Sequence, residues 1–183
     1  GAPVMVNVDR SYRAGIELSG GIIITPWVQW NANATVSTNK IKDFTEYVDN
    51  WDTWGQESYY LGTTDLAFAP NFIANSRFRF VLPGDVNLSF ISSYVGKQYI
   101  DNTSNEDRIL NPWFVNNLSA DYSFSTGLFD QITIRAMINN LFNEQYESNA
   151  WVYSYIYEGN RCKMDGYFPQ AGTSFMIGID FRF

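Results

Sequence analysis

Histidine is absent from this 183-residue sequence, and cysteine occurs once, as Cys162. The lack of histidine removes the commonest acid–base catalyst and the commonest protein ligand of transition metals. A single cysteine cannot form a disulfide within the chain. We also find no paired catalytic carboxylates, no nucleophile elbow and no glycine-rich phosphate loop. The sequence therefore predicts a protein that is not an enzyme and that has no metal site or cofactor.

Charged residues are scarce, and acidic residues outnumber basic ones by 19 to 12. Together they make up 17% of the sequence, against about 25% in ordinary soluble proteins. The net charge of −7 argues against a nucleic-acid partner, because phosphate binding needs a basic face. No run of about 18 apolar residues occurs, so no transmembrane helix is predicted. Aromatic residues, at 17%, must instead be placed in a core, an interface or a membrane girdle.

The last segment, residues 173–183, has the clearest strand pattern. Phe175, Ile177, Ile179, Phe181 and Phe183 alternate with small or charged residues. Side chains on a strand point alternately to opposite faces. A transmembrane barrel strand needs about 9 to 11 residues of this alternation, apolar toward lipid and polar toward the lumen. The pattern therefore predicts a lipid-facing final strand.

Six earlier segments alternate in the same way, and their charged residues lie on the face opposite the apolar one. The predicted strands are residues 12–24, 27–44, 66–82, 86–99, 114–124 and 131–141. This pattern places Arg77, Arg79 and Arg135 on the lumen face. We interpret these arginines as guides for an anionic substrate or, preferably, as partners of neighbouring strands or of a plug.

The connections between these segments alternate between short turns and long loops, the long ones being residues 46–64, 101–112 and 142–172. Short turns at one rim and long loops at the other are typical of an outer-membrane barrel. Seven strands would leave two unpaired edges, which lipid does not tolerate. We therefore predict an all-β, antiparallel up-and-down meander that is part of a larger transmembrane β-barrel.

A run near the end of the sequence, Asn140-Leu141-Phe142-Asn143 followed by Tyr146, resembles the NLF-N-x-x-Y element of TonB-dependent outer-membrane receptors. Residues 168–172, residues 181–183 and the upstream segments 13–18 and 66–71 resemble further elements of that family. These motifs are similar to those in receptors from Bacteroides-like bacteria. The resemblance extends over residues 10–183.

The resemblance implies a barrel of about 22 strands with a plugged lumen, of which residues 1–183 would be the C-terminal seven or so strands, without the plug domain. The implied function is TonB-dependent uptake of a nutrient complex, such as an iron-siderophore, across the outer membrane of a Gram-negative cell. Expected partners are outer-membrane lipid, the rest of the receptor, TonB through the plug, and the barrel-assembly machinery. In this interpretation, Phe175, Ile177, Ile179, Phe181 and Phe183 form the barrel-assembly signal.

Aromatic residues of the long loops are the candidate ligand contacts, because rings give a large contact area at low entropy cost. They are Trp51, Trp54, Tyr59, Tyr60, Trp151, Tyr153 and Tyr155, with Tyr157 beside them. The alternative for each is a place in the membrane girdle or in loop packing. Residues 101–107 have alternating oxygen ligands but lack the glycine and glutamate of a calcium loop, so we interpret them as a solvated acidic loop.

Two other functions fit the same pattern. The first is a soluble β-sandwich that binds glycans through its loop aromatics and buries its apolar faces in a dry core. The second is a complete small outer-membrane barrel, for which residues 1–9 would have to provide an eighth strand.

Overall fold

The computed structural model describes Val8 and residues 10–183, and these residues form twelve strands and no helix. In chain order the strands are β1 (Ser11–Thr25), β2 (Val28–Asn50), β3 (Gly55–Asp65), β4 (Phe72–Leu82), β5 (Val86–Val95), β6 (Gln98–Tyr99), β7 (Ile109–Leu110), β8 (Trp113–Phe124), β9 (Gln131–Asn139), β10 (Glu147–Tyr157), β11 (Asn160–Pro169) and β12 (Ser174–Arg182). Accordingly, no helix in the described part of the chain is able to cross a membrane.

Seven of these strands form the predicted meander. β1, β2, β4, β5, β8, β9 and β12 pair antiparallel with their neighbours in that order. The short turns lie at one end of this sheet and the long connections at the other. At one short turn, Gly84 and Asp85 have φ angles of 80° and 56°, which these residue types tolerate best. The all-β meander is therefore confirmed.

The sheet is open at its two ends within the described residues. β1 pairs only with β2, and β12 pairs only with β9. The alternative of a complete small barrel needs a further strand from residues 1–9, of which residues 1–7 and 9 lie outside the described part. The described strands form a curled half-barrel.

One face of the meander is apolar and exposed. Leu18 and Ile177, for example, are 70% and 76% exposed. The buried apolar cluster is small and lies among the long connections, where Ile100, Leu110 and Ala150 pack together. Residues 10–183 thus do not form two sheets packed around a dry core, and the soluble-sandwich alternative is wrong.

The prediction that residues 46–64 are a loop is also wrong. β2 continues to Asn50 and forms a hairpin with β3. The pairing shifts register between Ile41 and Phe44 and again between Phe44 and Thr45, and Asp43 has a φ of 55°. Each bulge changes which residues face the same side, so the period-two pattern is lost while the strand continues.

Three other predicted boundaries differ from the structure. Most of the predicted loop 142–172 is the hairpin β10–β11. The third predicted strand begins at Phe72 rather than residue 66, because Phe68 has a φ of 52° and donates its N–H to the Tyr99 carbonyl of the next connection. The fourth strand ends at Val95, where Gly96 turns back to donate its N–H to the Phe72 carbonyl.

Candidate functional site

Two predicted lumen arginines have neutral partners. Arg77 donates from Nε and Nη2 to Ser89 Oγ, at 3.2 and 3.0 Å. Arg79 donates from Nη2 to Asn87 Oδ1 at 2.9 Å. Both partners lie on the adjacent strand β5, so each guanidinium bridges two strands and keeps N–H groups that these bonds do not use.

Arg135 has charged partners instead. Its Nη1 lies 3.0 Å from Asp180 Oδ2 on β12, and its Nε lies 3.6 Å from Asp121 Oδ1 on β8. Arg135 on β9 therefore joins three adjacent strands on the polar face. Its position agrees with the preferred interpretation, in which the arginine pairs with neighbouring strands.

The hairpins β2–β3 and β10–β11 join into one extension of the sheet. Tyr155 and Ile156 of β10 pair in parallel with Asp49 and Asn50 of β2. At the tips, the two carboxylate oxygens of Asp52 accept hydrogen bonds from the backbone N–H groups of Glu158 and Gly159, each at 2.8 Å. We call this four-stranded unit, in the order β11-β10-β2-β3, the loop sheet.

One face of the loop sheet, which we call the ion face, carries a buried ion cluster. Arg108 Nη1 donates to Asp101 Oδ2 at 2.6 Å and to Glu46 Oε1 at 3.1 Å. Its Nη2 donates to Ser154 Oγ, and Arg161 donates to the same Glu46 carboxylate. The Arg108 side chain is only 5% exposed. The cluster thus joins β2, the connection between β5 and β8, and the β10–β11 hairpin.

Electrostatics within this cluster keep Arg108 charged. Burial disfavours the guanidinium cation, but the hydrogen bond to Asp101 and the negative charges of Asp101 and Glu46 outweigh that cost, so the pKa of Arg108 is raised. A buried arginine with two carboxylate partners is a strong tether, because removal of one partner leaves an uncompensated charge.

The opposite face of the loop sheet, which we call the aromatic face, carries most of the predicted ligand contacts. Trp51 stacks on Tyr155 with ring centroids 4.2 Å apart. Its Nε1 donates to Tyr153 Oη at 3.3 Å, and that hydroxyl donates to Asp49 Oδ2 at 2.8 Å. Tyr157 meets Trp51 edge-on. The sequence prediction therefore identified residues that the fold does bring together.

The other predicted aromatic contacts lie apart from this group. Tyr59 is on the ion face, where the Arg161 guanidinium lies 5.3 Å from its ring centroid. Trp54 is at the β2–β3 turn and is 92% exposed. Tyr60 donates to Asp43 Oδ1 at 2.9 Å near the base of the hairpin, and Trp151 lies against Gly166 of β11.

The acidic residues of 101–107, interpreted as a solvated loop, divide into two groups: Glu106 and Asp107 are exposed, whereas Asp101 belongs to the ion cluster. Asp101 accepts hydrogen bonds from Arg108 and from the backbone and hydroxyl of Thr103. Glu106 is paired with Lys97 at 2.8 Å. These carboxylates are used within the protein, and the described residues include no group of three or more His, Cys, Asp or Glu that could hold a metal ion.

The Asn140–Asn143 run forms a capped turn after β9. The Asn140 side chain donates to the carbonyls of Glu144 and Ala171 and accepts from the Glu144 N–H. Asn143 Oδ1 accepts from the Thr173 N–H at 3.2 Å, at the start of β12. The two asparagines have φ angles of 51° and 54°, which asparagine tolerates better than most residues. The motif thus sets where the final strand begins.

Comparison with known proteins identifies the family. The profile of the Outer membrane protein beta-barrel family matches residues 4–167. This chain belongs to that family. The membership confirms the predicted β-barrel class and the predicted location in the outer membrane. Among curated proteins, none matches the chain.

Solved structures of three receptors share the fold of this outer-membrane barrel chain. The siderophore receptor PiuA from Acinetobacter baumannii has a TM-score of 0.69 and 15% identity, over 93% of this chain and 22% of its own. The ferric-catecholate import receptor Fiu from E. coli K12 has a TM-score of 0.63 and 17% identity, over 94% of this chain and 21% of its own. The ferric yersiniabactin uptake receptor FyuA from Yersinia pestis has a TM-score of 0.59 and 17% identity, over 92% of this chain and 23% of its own. The chain thus spans less than a quarter of each receptor.

The exposed apolar face of the meander and the face with Arg77, Arg79 and Arg135 are opposite faces of one sheet. Phe175, Ile177, Ile179, Phe181 and Phe183 are all more than half exposed on β12 or just after it. At the short-turn end, Phe129 contacts the rings of Phe181 and Phe183, with centroids 5.1 and 5.0 Å away. Aromatic clusters of this kind suit the membrane interface.

Sequence reasoning missed Glu46, Arg108 and Arg161. Glu46 and Arg108 are 62 residues apart and meet only because two connections fold together. No local pattern marks such a pair. The one available signal was local: Arg108 directly follows the acidic residues Glu106 and Asp107 and could have been considered as their ion-pair partner.

Proposed function

We propose that residues 1–183 form the C-terminal part of the barrel of a TonB-dependent receptor, with no plug domain among them. The observation that supports this most is the shared fold: more than 90% of the chain superimposes on 21–23% of each of three uptake or siderophore receptors. The Asn140–Asn143 turn and the apolar final strand, which carry the sequence resemblance, are both formed in the structure.

The proposed activity is uptake of a nutrient complex, such as an iron-siderophore, and not catalysis. Four predicted aromatic contacts lie apart from the Trp51 cluster. Of these, the ion-face residue Tyr59 and the turn residue Trp54 are the candidate cargo contacts, whereas Tyr60 is bonded to Asp43 and Trp151 lies against Gly166. Arg77 and Arg79 would present unused N–H groups to an anionic group in the lumen, whether of the cargo or of a plug, whereas Arg135 stabilises the wall of the barrel.

The proposed partners follow from the same assignment. Lipid contacts the apolar face, a plug fills the lumen, TonB acts through that plug, and the barrel-assembly machinery recognises Phe175, Ile177, Ile179, Phe181 and Phe183.

Uptake of a radiolabelled ferric siderophore by cells that carry the intact gene tests the proposal. We expect uptake to fall to background when the gene is deleted and when TonB is absent. A panel of catecholate, hydroxamate and carboxylate chelates, together with cobalamin and oligosaccharides, would identify the cargo. If TonB deletion leaves uptake of every panel member unchanged, the receptor assignment is wrong.

A further inference from the structure

The two faces of the loop sheet differ sharply in charge. By strand register, the ion face carries Glu46, Arg161 and Lys163, with Arg108 beneath it. Above the β2–β3 bulges, the aromatic face carries Asp49 as its one charged strand residue and no Lys or Arg. At its base, Asp43 of β2 accepts a hydrogen bond from Tyr60 and pairs with Arg10. Above the bulges, the strand cations Arg161 and Lys163 are therefore on the far side from the aromatic rings.

The aromatic face is broad and accessible. Its exposed members are Tyr47, Trp51, Tyr60, Trp151, Tyr157, Met164 and Phe168. It crosses four strands, a width of about 14 Å, and follows β10 from residue 151 to residue 157, a length of about 20 Å. Exposed apolar surfaces of this kind mark interaction sites, and this footprint is larger than a single small cation would cover.

The centre of the face has the chemistry of a cation site. Tyr155 covers one side of the Trp51 indole, yet 42% of Trp51 stays exposed. Asp49 lies beside this ring system and accepts from Gln56 Nε2 and Tyr153 Oη. Those two hydrogen bonds hold the pKa of Asp49 below its ordinary value, and a carboxylate retains further lone pairs for another donor.

We propose that the aromatic face docks a basic polypeptide segment of a partner protein, with a lysine or arginine side chain over Trp51 and hydrogen-bonded to Asp49. Cations, arginine above all, bind to the faces of Trp and Tyr rings. Interface centres are rich in Tyr and Trp and poor in charge, as this face is. The docking site does not include the proposed cargo contacts Tyr59 and Trp54 or the arginines Arg77 and Arg79.

Binding of an octa-arginine peptide to the intact protein in nanodiscs, measured by calorimetry at low and high salt, tests this docking site. Asp49→Asn removes the charge at constant shape and is expected to weaken binding about tenfold. Tyr157→Ala, at the edge of the cluster, is expected to weaken it less. The matched control is Glu158→Gln, which removes an exposed carboxylate at the adjacent turn and should change affinity little.

Three results would overturn the proposal. One is that the peptide does not bind. A second is that Glu158→Gln and Asp49→Asn weaken binding equally, which would indicate general charge attraction. The third is that a neutral oligosaccharide binds this face with no salt dependence while the peptide does not, since attraction between charges is screened by salt and sugar stacking is not.

Discussion

Replacing Arg108 by methionine should open the contacts between the β5–β8 connection and the β10–β11 hairpin, so that both segments become less stable. Methionine keeps much of the length and volume of arginine but cannot donate to Asp101, Glu46 or Ser154. In the native protein these three bonds join the connection between β5 and β8 to β2 and to the β10–β11 hairpin. Among the seven meander strands, only β2 bonds to the Arg108 side chain, through Glu46. The perturbation is therefore confined to this end of the sheet.

The magnitude follows from the burial of the partners. Removing one member of a buried ion pair costs about 3–5 kcal/mol. Glu46 would keep Arg161 as a partner, and the Asp101 side chain is 25% exposed and thus partly hydrated. The lower end, about 3 kcal/mol, is therefore expected. That free energy raises the equilibrium constant for local opening about 100-fold.

Hydrogen exchange detected by mass spectrometry, on the intact protein in nanodiscs, measures this opening. Peptides covering residues 98–110 and 150–157 should both exchange about 100-fold faster, while β5 and β8 stay as protected as before. Arg10→Met is the matched control. Arg10 pairs with Asp43 at the same 3.1 Å distance but is 72% exposed, and such surface pairs contribute about 0–1 kcal/mol.

The reasoning fails if exchange accelerates in residues 98–110 alone, because Arg108 would then stabilise only its own loop. It also fails if Arg10→Met has the same effect as Arg108→Met.

Three further predictions concern other parts of the chain. Asn140→Ala removes three side-chain hydrogen bonds at a buried position and should destabilise the turn before β12 by roughly 2–3 kcal/mol, seen as a lower thermal midpoint; no change would contradict the capping role. Phe183→Ala should reduce the heat-modifiable, assembled fraction on gels, and unchanged assembly would contradict the signal role. The hydrogen bonds that Glu106 accepts from Lys97 and, to a smaller extent, from Tyr99 lower the pKa of Glu106. These bonds therefore stabilise the connection fully at pH values above the ordinary carboxyl pKa, and the stabilisation is lost as the pH falls through the lowered pKa of Glu106. Proteolysis of residues 96–112 should therefore accelerate in acid, and Glu106→Gln should remove that pH dependence.

The membrane-facing strands were readable from the sequence because lipid and lumen impose opposite demands on alternate residues. Phe175 and Ile177 must be apolar, whereas Asp180 on the other face pairs with Arg135. This period-two constraint acts locally, so it appears as a local pattern. The Asn140–Asn143 turn was recognisable for a similar reason: its backbone requires residues that tolerate positive φ.

The same reasoning failed in the long connections. β2 above Ile41 and all of β3 are strands, yet the bulges near Asp43 and Phe44 interrupt the alternation. Their stability comes from partners distant in sequence, as between Asp52 and the turn at Glu158.

The sequence alone therefore determined that this is an outer-membrane barrel chain, how its seven barrel strands follow one another, and which side chains share the exposed apolar face. Only the tertiary structure decided that Glu46, Arg108 and Arg161 meet, and that Asp49 and Trp51 lie on the face opposite to them. The physical reason is that ion pairing and ring stacking depend on distances of a few ångströms between residues far apart in the chain. Those distances exist only once the two hairpins have folded side by side.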